Sequence, residues 1–342
     1  MIVIDISPIP SADAAAPRSS LRPLGQTGLL VSPIGLGLAA LGRPAYMTFG
    51  RDADFGADRS VDAMKRRCHA LLDVAYDAGV RYVDAARSYG RAESFLSAWY
   101  DERQLPDTTF TVGSKWGYTY TGEWQLDAPM HEIKRLSIDT LRRQADESFA
   151  VLGPRLSLYQ IHSVTLESGV LDDRDVLTMF AALREKGVSI GITVTGPRQA
   201  DVIRHALDVH VDGVRLVETV QATWNVLEPS ATTALAEARA EGCGVILKEV
   251  LANGRLTNRH AGPELRELIA HAAALGTTLD TLATAAALAQ PWADVVLSGA
   301  ATSDQLRSHL RAIDLAAEIG PSVLAAEPPD VYWYRRGKLA WS

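Results

Sequence analysis

From about residue 61 onward, short apolar runs alternate with longer segments whose apolar residues recur every three or four positions. The short runs, such as VSIGITV and ADVVLSG, are almost continuously hydrophobic, which is typical of strands buried on both faces. The longer segments, such as 61–78 and 138–152, carry one apolar face and predict amphipathic helices. A regular alternation of strand and helix predicts a parallel sheet covered by helices.

The pattern predicts eight strands and at least eight helices. The strands are expected to begin near Ser32 and then to span 81–84, 109–115, 157–163, 188–194, 213–221, 243–249 and 293–299. The helices are expected at 61–78, from about 91, and at 138–152, 173–186, 197–207, 230–241, 263–275, 278–289 and 303–318. Eight such units predict an α/β protein with a closed (β/α)8 TIM barrel. The alternative is an open doubly wound sheet, although no GxGxxG lies between a strand and a helix.

Three segments are expected along the chain. Residues 1–20 form an N-terminal extension, 21–320 form a single barrel domain, and 321–342 form a C-terminal tail that can contribute to a substrate pocket. The LRPLGQTGLLV stretch predicts a β-hairpin, because GQTG separates two apolar runs. The irregular stretch at 42–60 is long for a loop in a barrel, which indicates either a functional loop or disorder.

Composition narrows the classes of partner. The net charge is −7 and no block of Lys or Arg occurs, which disfavours nucleic acid and membrane surfaces and leaves a small molecule as the expected partner. The two cysteines, Cys68 and Cys243, are far apart and are expected to be buried without a disulfide or metal role. The N-terminus lacks signal-peptide features and no apolar run reaches about 18 residues, so a cytoplasmic location is expected. A homo-oligomer is left open.

Candidate chemistry lies at the ends of consecutive predicted strands. Asp84 ends the second, Lys115 the third and His162 the fourth, with Tyr89 just beyond Asp84. Strand ends of a TIM barrel converge on one face, where active sites lie. The pKa of a tyrosine phenol is about 10. A lysine ammonium beside the phenol would lower that pKa and ease proton transfer. An aspartate would keep the lysine charged, and a histidine could orient a carbonyl oxygen. The alternative is a structural ion pair at the barrel rim, with a tyrosine and a histidine nearby by coincidence.

These motifs resemble the aldo-keto reductase family between about Leu21 and Leu315. The resemblance rests on Val83-Asp84, Tyr89-Gly90, Glu93, Gly113-Ser114-Lys115, Tyr159-Gln160-Ile161-His162 and the LGQTGLLVSPIGLG stretch. It implies that the hairpin closes the bottom of the barrel, with long loops over the C-terminal face. It also implies NAD(P)-dependent interconversion of an aldehyde, ketone or sugar carbonyl and the alcohol, without a metal. Hydride would pass between nicotinamide C4 and the carbonyl carbon, with Tyr89 as general acid/base.

The resemblance also implies which residues hold the cofactor. Gln221 and Thr193 match positions that contact the carboxamide, and Leu247 falls where the family commonly stacks a tyrosine on the nicotinamide ring. Gly254 would let the backbone approach the diphosphate, and Ser303 begins a helix whose N–H groups could bind a phosphate. Lys248 and Arg255 could add charge to the same diphosphate, or could be solvated surface cations.

The adenosine end departs from the family pattern. Its positions fall on Gly299, Gln305 and His309. The family favours NADP, but no basic residue stands at 299 or 305 to meet a 2′-phosphate, which favours NAD or dual use. Arg307 or Arg311 could substitute.

Aromatic residues near the expected barrel mouth predict a flat or sugar-like substrate. The predicted pocket walls are Tyr46, Met47, Trp116, Trp124 and Trp224, together with Phe49, Tyr118 and the tail residues Tyr332, Trp333 and Trp341. Simple packing of loops on helices is the alternative for some of them. The ANGRLT stretch is similar to aldose dehydrogenase-like and pyridoxal dehydrogenase-like branches of the family.

Two other functions remain as alternatives. One is a nicotinamide-binding sensor that keeps the barrel but has negligible turnover, which the complete quartet disfavours. The other is a metal-dependent hydrolase, which would need clustered ligands, and no HxH lies on a predicted strand.

Overall fold

Eight parallel strands close into a barrel in the computed structural model, which describes residues 21–48, 51–260, 262–320 and 326–341. The barrel strands, in order, are Ile34–Gly37, Tyr82–Asp84, Thr111–Trp116, Leu156–Val164, Ser189–Val194, Thr219–Thr223, Gly244–Lys248 and Val295–Ser298. Each strand pairs with the next along the chain, and the last pairs with the first through Val296 and Ile34. The predicted (β/α)8 barrel is therefore confirmed.

Helices follow the barrel strands as the apolar periodicity predicts. They span Val61–Asp77, Ala92–Arg103, Ile138–Leu152, Arg174–Glu185, Gln199–Leu207, Thr232–Ala240, Arg266–Ala274, Leu279–Leu288 and Ser303–Ile319. Side chains at the helix starts fix several boundaries, because Ser60, Ser137, Asp173 and Thr302 each accept a hydrogen bond from a backbone N–H in the first turn. No helix in the described ranges is long and apolar enough to cross a membrane.

The predicted hairpin closes the N-terminal end of the barrel. Its strands are Arg22–Pro23 and Leu30–Val31, and Leu24 and Val31 pack into the inner cluster of barrel side chains. Gly25 has φ +54°, and a Cβ there would stand 2.3 Å from the backbone nitrogen of Gly244. Only glycine fits so tight a contact, which explains the GQTG turn in physical terms.

One predicted strand is wrong in its bounds. The apolar run at 213–221 divides, and its first part, Val214–Arg215, pairs antiparallel with His210–Val211 in a small surface hairpin. The turn between them has φ +50° at Asp212 and +77° at Gly213, as a tight hairpin turn requires. The barrel strand begins only at Thr219 and continues to Thr223.

Further elements cover the C-terminal face. They are the helix Arg51–Phe55, the antiparallel pair Tyr118–Tyr120 and Glu132–Lys134, the 3-10 turn Ala252–Gly254 and the helix Pro329–Arg336. The last helix belongs to the predicted tail and lies against the barrel mouth, with Tyr332 buried in a cluster beside Leu227 and Leu256. The predicted extension, residues 1–20, lies outside the described residues.

Candidate active site

The predicted quartet meets at the C-terminal mouth of the barrel. Lys115 and Asp84 form an ion pair that is almost fully buried, with side-chain exposures of 1% and 3%. The Lys115 ammonium also donates to the carbonyl oxygen of Ala85 at 2.9 Å and lies 3.4 Å from the hydroxyl oxygen of Tyr89. Neighbouring strands of the barrel hold these groups, since Asp84 pairs with Gly113 two residues before Lys115.

His162 completes the group from the fourth barrel strand. Its ring meets the Tyr89 ring edge to face, with centroids 5.6 Å apart, and contacts Tyr118 at 4.9 Å. The Nδ1 atom of His162 is buried and has no hydrogen-bond partner among the described residues. Burial and the charges of Lys115 and Lys248 hold the pKa of His162 well below its usual value, so the ring is neutral near pH 7.

The expected lowering of the phenol pKa is not found. Burial raises the pKa of Tyr89 well above its usual value, and the charge of Asp84 adds to this, while Arg43 opposes it. Burial also lowers the pKa of Lys115, against the opposing effect of Asp84. The lysine was expected to dominate, but its charge is closely paired with a carboxylate, so burial decides the direction.

Gln221 lies in the middle of its strand and has a second role. Its amide nitrogen donates to Asp84 Oδ1 at 2.9 Å, so it supports the ion pair from a strand on the other side of the barrel. Its amide oxygen can accept a hydrogen bond, and the contact with a carboxamide stays a prediction. Gln221 lines the cleft beside Asp84 and Tyr89.

A cleft of about 410 Å³ runs from the quartet across the barrel mouth. Of the predicted residues it is lined by Gln221, Lys248, Gly254, Gly299, Gln305, His309, Tyr46, Met47 and Tyr118, along with Asp84, Tyr89 and His162. Gln305 and His309 share one end of the cleft with Gly299. A Cβ at Gly299 would meet open space, since no described residue apart from Gly299 and its two chain neighbours comes within 4 Å of it. The first long loop is tied to the 3-10 turn, since Thr48 and Met47 both bond to Asn253.

The structure corrects two cofactor predictions. Thr193 is buried, and its hydroxyl accepts from the backbone N–H of Ser163, which lines the cleft in its place. Arg255 points away from the cleft and forms an ion pair with Glu327 at 2.6 Å. The helix begins at Ser303 as predicted, with Thr302 as its N-cap, and the binding of a phosphate at this helix start stays a prediction.

The end of the seventh barrel strand is also corrected. Leu247 packs in the hydrophobic core around the barrel, and Lys248 lines the cleft instead. The Lys248 ammonium donates to Thr223 Oγ1 at 2.8 Å, and burial lowers its pKa to about 8. The charge of Lys248 also lowers the pKa of His162, and a contact between Lys248 and a diphosphate stays a prediction.

Three of the predicted pocket tryptophans do not face the cleft. Trp116 packs against Phe180 in the core, with ring centroids 6.1 Å apart. The indole N–H groups of Trp124 and Trp224 are bonded to Arg59 O and Thr232 Oγ1, respectively. Successive strand residues point to opposite faces, so a tryptophan directly after an inward-facing lysine turns outward. Phe49 lies outside the described residues.

Several charged residues that line the cleft were not predicted from the sequence. Arg43 forms an ion pair with Glu132 at 2.8 Å, and Arg336 of the tail binds Glu249 through Nε at 2.8 Å. Burial alone would raise the pKa of Glu249, but the charges of Arg336 and Lys248 outweigh it and lower it to about 2. The only sign of these residues in the sequence is the Arg335-Arg336 pair in the tail, because the carboxylates that pair with Arg43 and Arg336 lie far from them along the chain.

The cleft is suited to an NAD(P) cofactor. Glycines and polar side chains line it, and at its inner end a neutral imidazole and a phenol stand together, as a carbonyl substrate requires. A sequence model of the aldo/keto reductase family matches residues 33–319. The chain belongs to the aldo/keto reductase family. It is thus an NAD(P)-dependent oxidoreductase.

Individual relatives agree with this assignment. Over 318 residues the chain is 26% identical to L-galactose dehydrogenase of Arabidopsis thaliana, covering 89% of this chain and 91% of that protein. Over 167 residues it is 29% identical to pyridoxal 4-dehydrogenase of Microbacterium luteolum, covering 43% and 44%. Both relatives are named as dehydrogenases.

Solved aldo-keto reductases share the fold. One from Bacillus halodurans, in its holo form, has a TM-score of 0.66 at 20% identity, covering 94% of this chain and 97% of that one. One from Pseudomonas aeruginosa, described as putative, has a TM-score of 0.63 at 22% identity, covering 87% and 95%.

Proposed function

We propose that this aldo/keto reductase interconverts the carbonyl of a polar hydroxyaldehyde or sugar with the alcohol, with Tyr89 as general acid/base. The observation that carries the proposal is the 3.4 Å separation between the Lys115 ammonium and the Tyr89 hydroxyl, inside a cleft large enough for a substrate and part of a dinucleotide. A nicotinamide bound in this cleft would supply or accept the hydride at the carbonyl carbon.

The side chains divide the remaining work. In reduction, the carbonyl oxygen gains the electron pair of its π bond as hydride adds to carbon, and the Tyr89 hydroxyl gives it a proton. Lys115 then faces the phenolate and stabilises it. Neutral His162 can donate a hydrogen bond to the same oxygen and hold its direction. In oxidation the proton returns from the alcohol to Tyr89.

The polar cleft supports a hydroxylated substrate. Arg43, Glu132, Tyr118 and Lys248 line it near the quartet and offer both donors and acceptors. The two named relatives act, by their names, on L-galactose and on pyridoxal, which both carry hydroxyl groups beside an aldehyde. A sugar-like hydroxyaldehyde is therefore the substrate class that we propose.

For the cofactor we propose NAD over NADP. Asp54 and Asp280 line the end of the cleft where Gln305 and His309 lie, and Gln305 donates to Asp54 at 2.8 Å. A carboxylate can accept a hydrogen bond from a ribose 2′-hydroxyl and repels a 2′-phosphate. The lining cation Arg259 is already paired with Asp54. Arg307 does not substitute, because it pairs with Asp304 on the exposed side of its helix.

Turnover tests the proposal. The chain is incubated with NADH or NADPH and with L-galactose, pyridoxal and related hydroxyaldehydes, or with NAD or NADP and the corresponding alcohols, while nicotinamide absorbance is followed. Tyr89→Phe should lower kcat at least a thousandfold, on the order of general acid–base contributions, and leave NADH affinity by tryptophan quenching unchanged. Tyr334→Phe, at a tyrosine that is 69% exposed, is the matched control and should keep wild-type turnover.

Two results would contradict the proposal. Wild-type rates in Tyr89→Phe would remove the assigned acid. Tight cofactor binding without turnover on any carbonyl would favour a sensor. For cofactor choice, Asp54→Asn should improve NADPH binding at least tenfold relative to NADH, and an unchanged ratio would reject that assignment.

A further inference from the structure

Arg43 lies against the ring of Tyr89 inside the cleft. Its guanidinium carbon is 5.3 Å from the ring centroid, and the residue is only 2% exposed. The Nη1 atom donates to the backbone oxygen of Ser88 at 3.0 Å and to Glu132 Oε2 at 2.8 Å. Arg43 thus reaches Tyr89 from the first long loop, which is separate in sequence from the strand that bears Lys115.

Aromatic rings hold this guanidinium in place. Its carbon lies 5.3 Å from the ring centroid of Tyr46 and 4.7 Å from that of Trp341. Trp341 in turn stacks on His131, with centroids 4.4 Å apart and planes 15° from parallel. The guanidinium is therefore fixed by hydrogen bonds and by aromatic faces, an arrangement that suits a permanently charged planar group.

Tyr89 needs a cation beyond Lys115. The proposed reaction alternates Tyr89 between phenol and phenolate, and burial together with Asp84 opposes the phenolate. The ammonium of Lys115 is shared with Asp84, so much of its field at the phenol is cancelled. Arg43 is the second cation in contact with the ring, and its charge favours the phenolate.

We propose that Arg43 is a positioning residue for the reaction, one whose charge over the Tyr89 ring stabilises the phenolate during proton transfer. This inference rests on the proposed function of Tyr89. The carboxylate of Glu132 moderates the effect because it is bonded to the same guanidinium. The charged or titratable groups around Tyr89, among the described residues, are Lys115, Asp84, His162, Arg43, Tyr46, Tyr82, Glu132 and Glu249.

The sign of each effect is fixed by charge. Removing the positive charge of Arg43 disfavours the phenolate and raises the pKa of Tyr89. Removing the negative charge of Glu132 favours the phenolate and lowers that pKa, since Glu132 raises it in the native protein. An opposite charge within about 4–6 Å shifts a pKa by roughly 1–3 units, and sharing with Glu132 places Arg43 at the lower end.

The experiment compares pH profiles of kcat for alcohol oxidation in wild type, Arg43→Gln, Arg43→Lys and Glu132→Gln. In oxidation Tyr89 must accept the proton, so kcat rises with pH towards the pKa of the phenol. Arg43→Gln should move this rising limb up by about one pH unit and lower kcat roughly tenfold at a fixed pH on it. Glu132→Gln should move the limb down, and Arg43→Lys, which keeps the positive charge, should move the limb less than Arg43→Gln does.

Opposite shifts in the two glutamine variants are the decisive result, because loss of packing alone would lower kcat in both without moving the limb. An unmoved limb in folded Arg43→Gln or Glu132→Gln would overturn the inference. If Arg43→Gln does not fold, as judged by circular dichroism, Glu132→Gln alone decides.

Ultraviolet titration of the phenolate, as the difference between each variant and the same variant with Tyr89→Phe, measures the shift without substrate. Absence of turnover in wild type would instead contradict the proposed function.

Discussion

The ammonium of Lys115 lies between the carboxylate of Asp84 and the hydroxyl of Tyr89, 3.4 Å from the latter. Gln221 and the Ala85 carbonyl complete the bonds of this ion pair, so neither charge is left without a partner in a buried setting. The pair therefore has two separable consequences. One is the stability of the barrel mouth, and the other is the ionisation of the tyrosine.

Breaking the ion pair on one side should destabilise the protein. We expect Lys115→Met to lower the free energy of unfolding by about 3 kcal/mol, because Asp84 would remain as a buried charge without its cation. The double variant Lys115→Met with Asp84→Asn should be less destabilised than the single Lys115 variant. Urea unfolding of the four proteins in this cycle gives the coupling. Additive effects would show that the two groups are not energetically linked.

Burial of His309 should make stability depend on pH. Burial lowers its pKa to about 4, and its Nδ1 is bonded to Ser298 Oγ at 2.7 Å. In the unfolded chain the pKa of this histidine is about 6.5. The stability that the neutral ring contributes is therefore present above pH 6.5 and is lost as the pH falls towards 4. Between pH 7 and pH 5 this group should lower the free energy of unfolding by about 2 kcal/mol.

Matched substitutions isolate this effect. His309→Asn keeps a hydrogen-bonding atom near Ser298 and should remove about 2 kcal/mol of the pH dependence, measured by urea unfolding at both pH values. His210→Asn, at an exposed position on the surface hairpin, should leave the pH dependence as it is. An equal pH dependence in His309→Asn and wild type would contradict the expectation.

The tail should act on substrate binding through Arg336. This residue lines the cleft and forms an ion pair with Glu249, whose side chain is 9% exposed. Arg336→Gln leaves the buried carboxylate poorly paired, so we expect the tail to loosen and the KM for substrate to rise roughly tenfold, about 1.4 kcal/mol.

Arg335→Gln is the control on the same helix. Arg335 is half-exposed and pairs with Glu327, and exposed pairs contribute little. The KM of Arg335→Gln should stay within about twofold of the wild-type value, because an exposed ion pair contributes little. Limited proteolysis should cut the tail faster in Arg336→Gln than in Arg335→Gln. Equal KM values and equal cutting rates would show that the tail does not act through this contact.

The sequence by itself determined the barrel and the meeting of the quartet. Apolar periodicity set the order of strands and helices, and parallel strands of a closed barrel necessarily end on one face. Asp84, Lys115 and His162 lie near the ends of consecutive strands, so topology alone brings them together. Among the barrel strands, the sixth was misjudged most in its extent, because an apolar run does not reveal a tight turn within it.

Tertiary structure decided which side chains face the cleft and what charges surround Tyr89. Along a strand a shift of one residue turns a side chain to the other face, which sends Trp116 and Leu247 to the core and leaves Lys248 in the cleft. Arg43 and Trp341 meet across almost the whole chain, and no local pattern encodes that contact. The pKa of Tyr89 follows from burial and from these distant charges, and both exist only once the chain has folded.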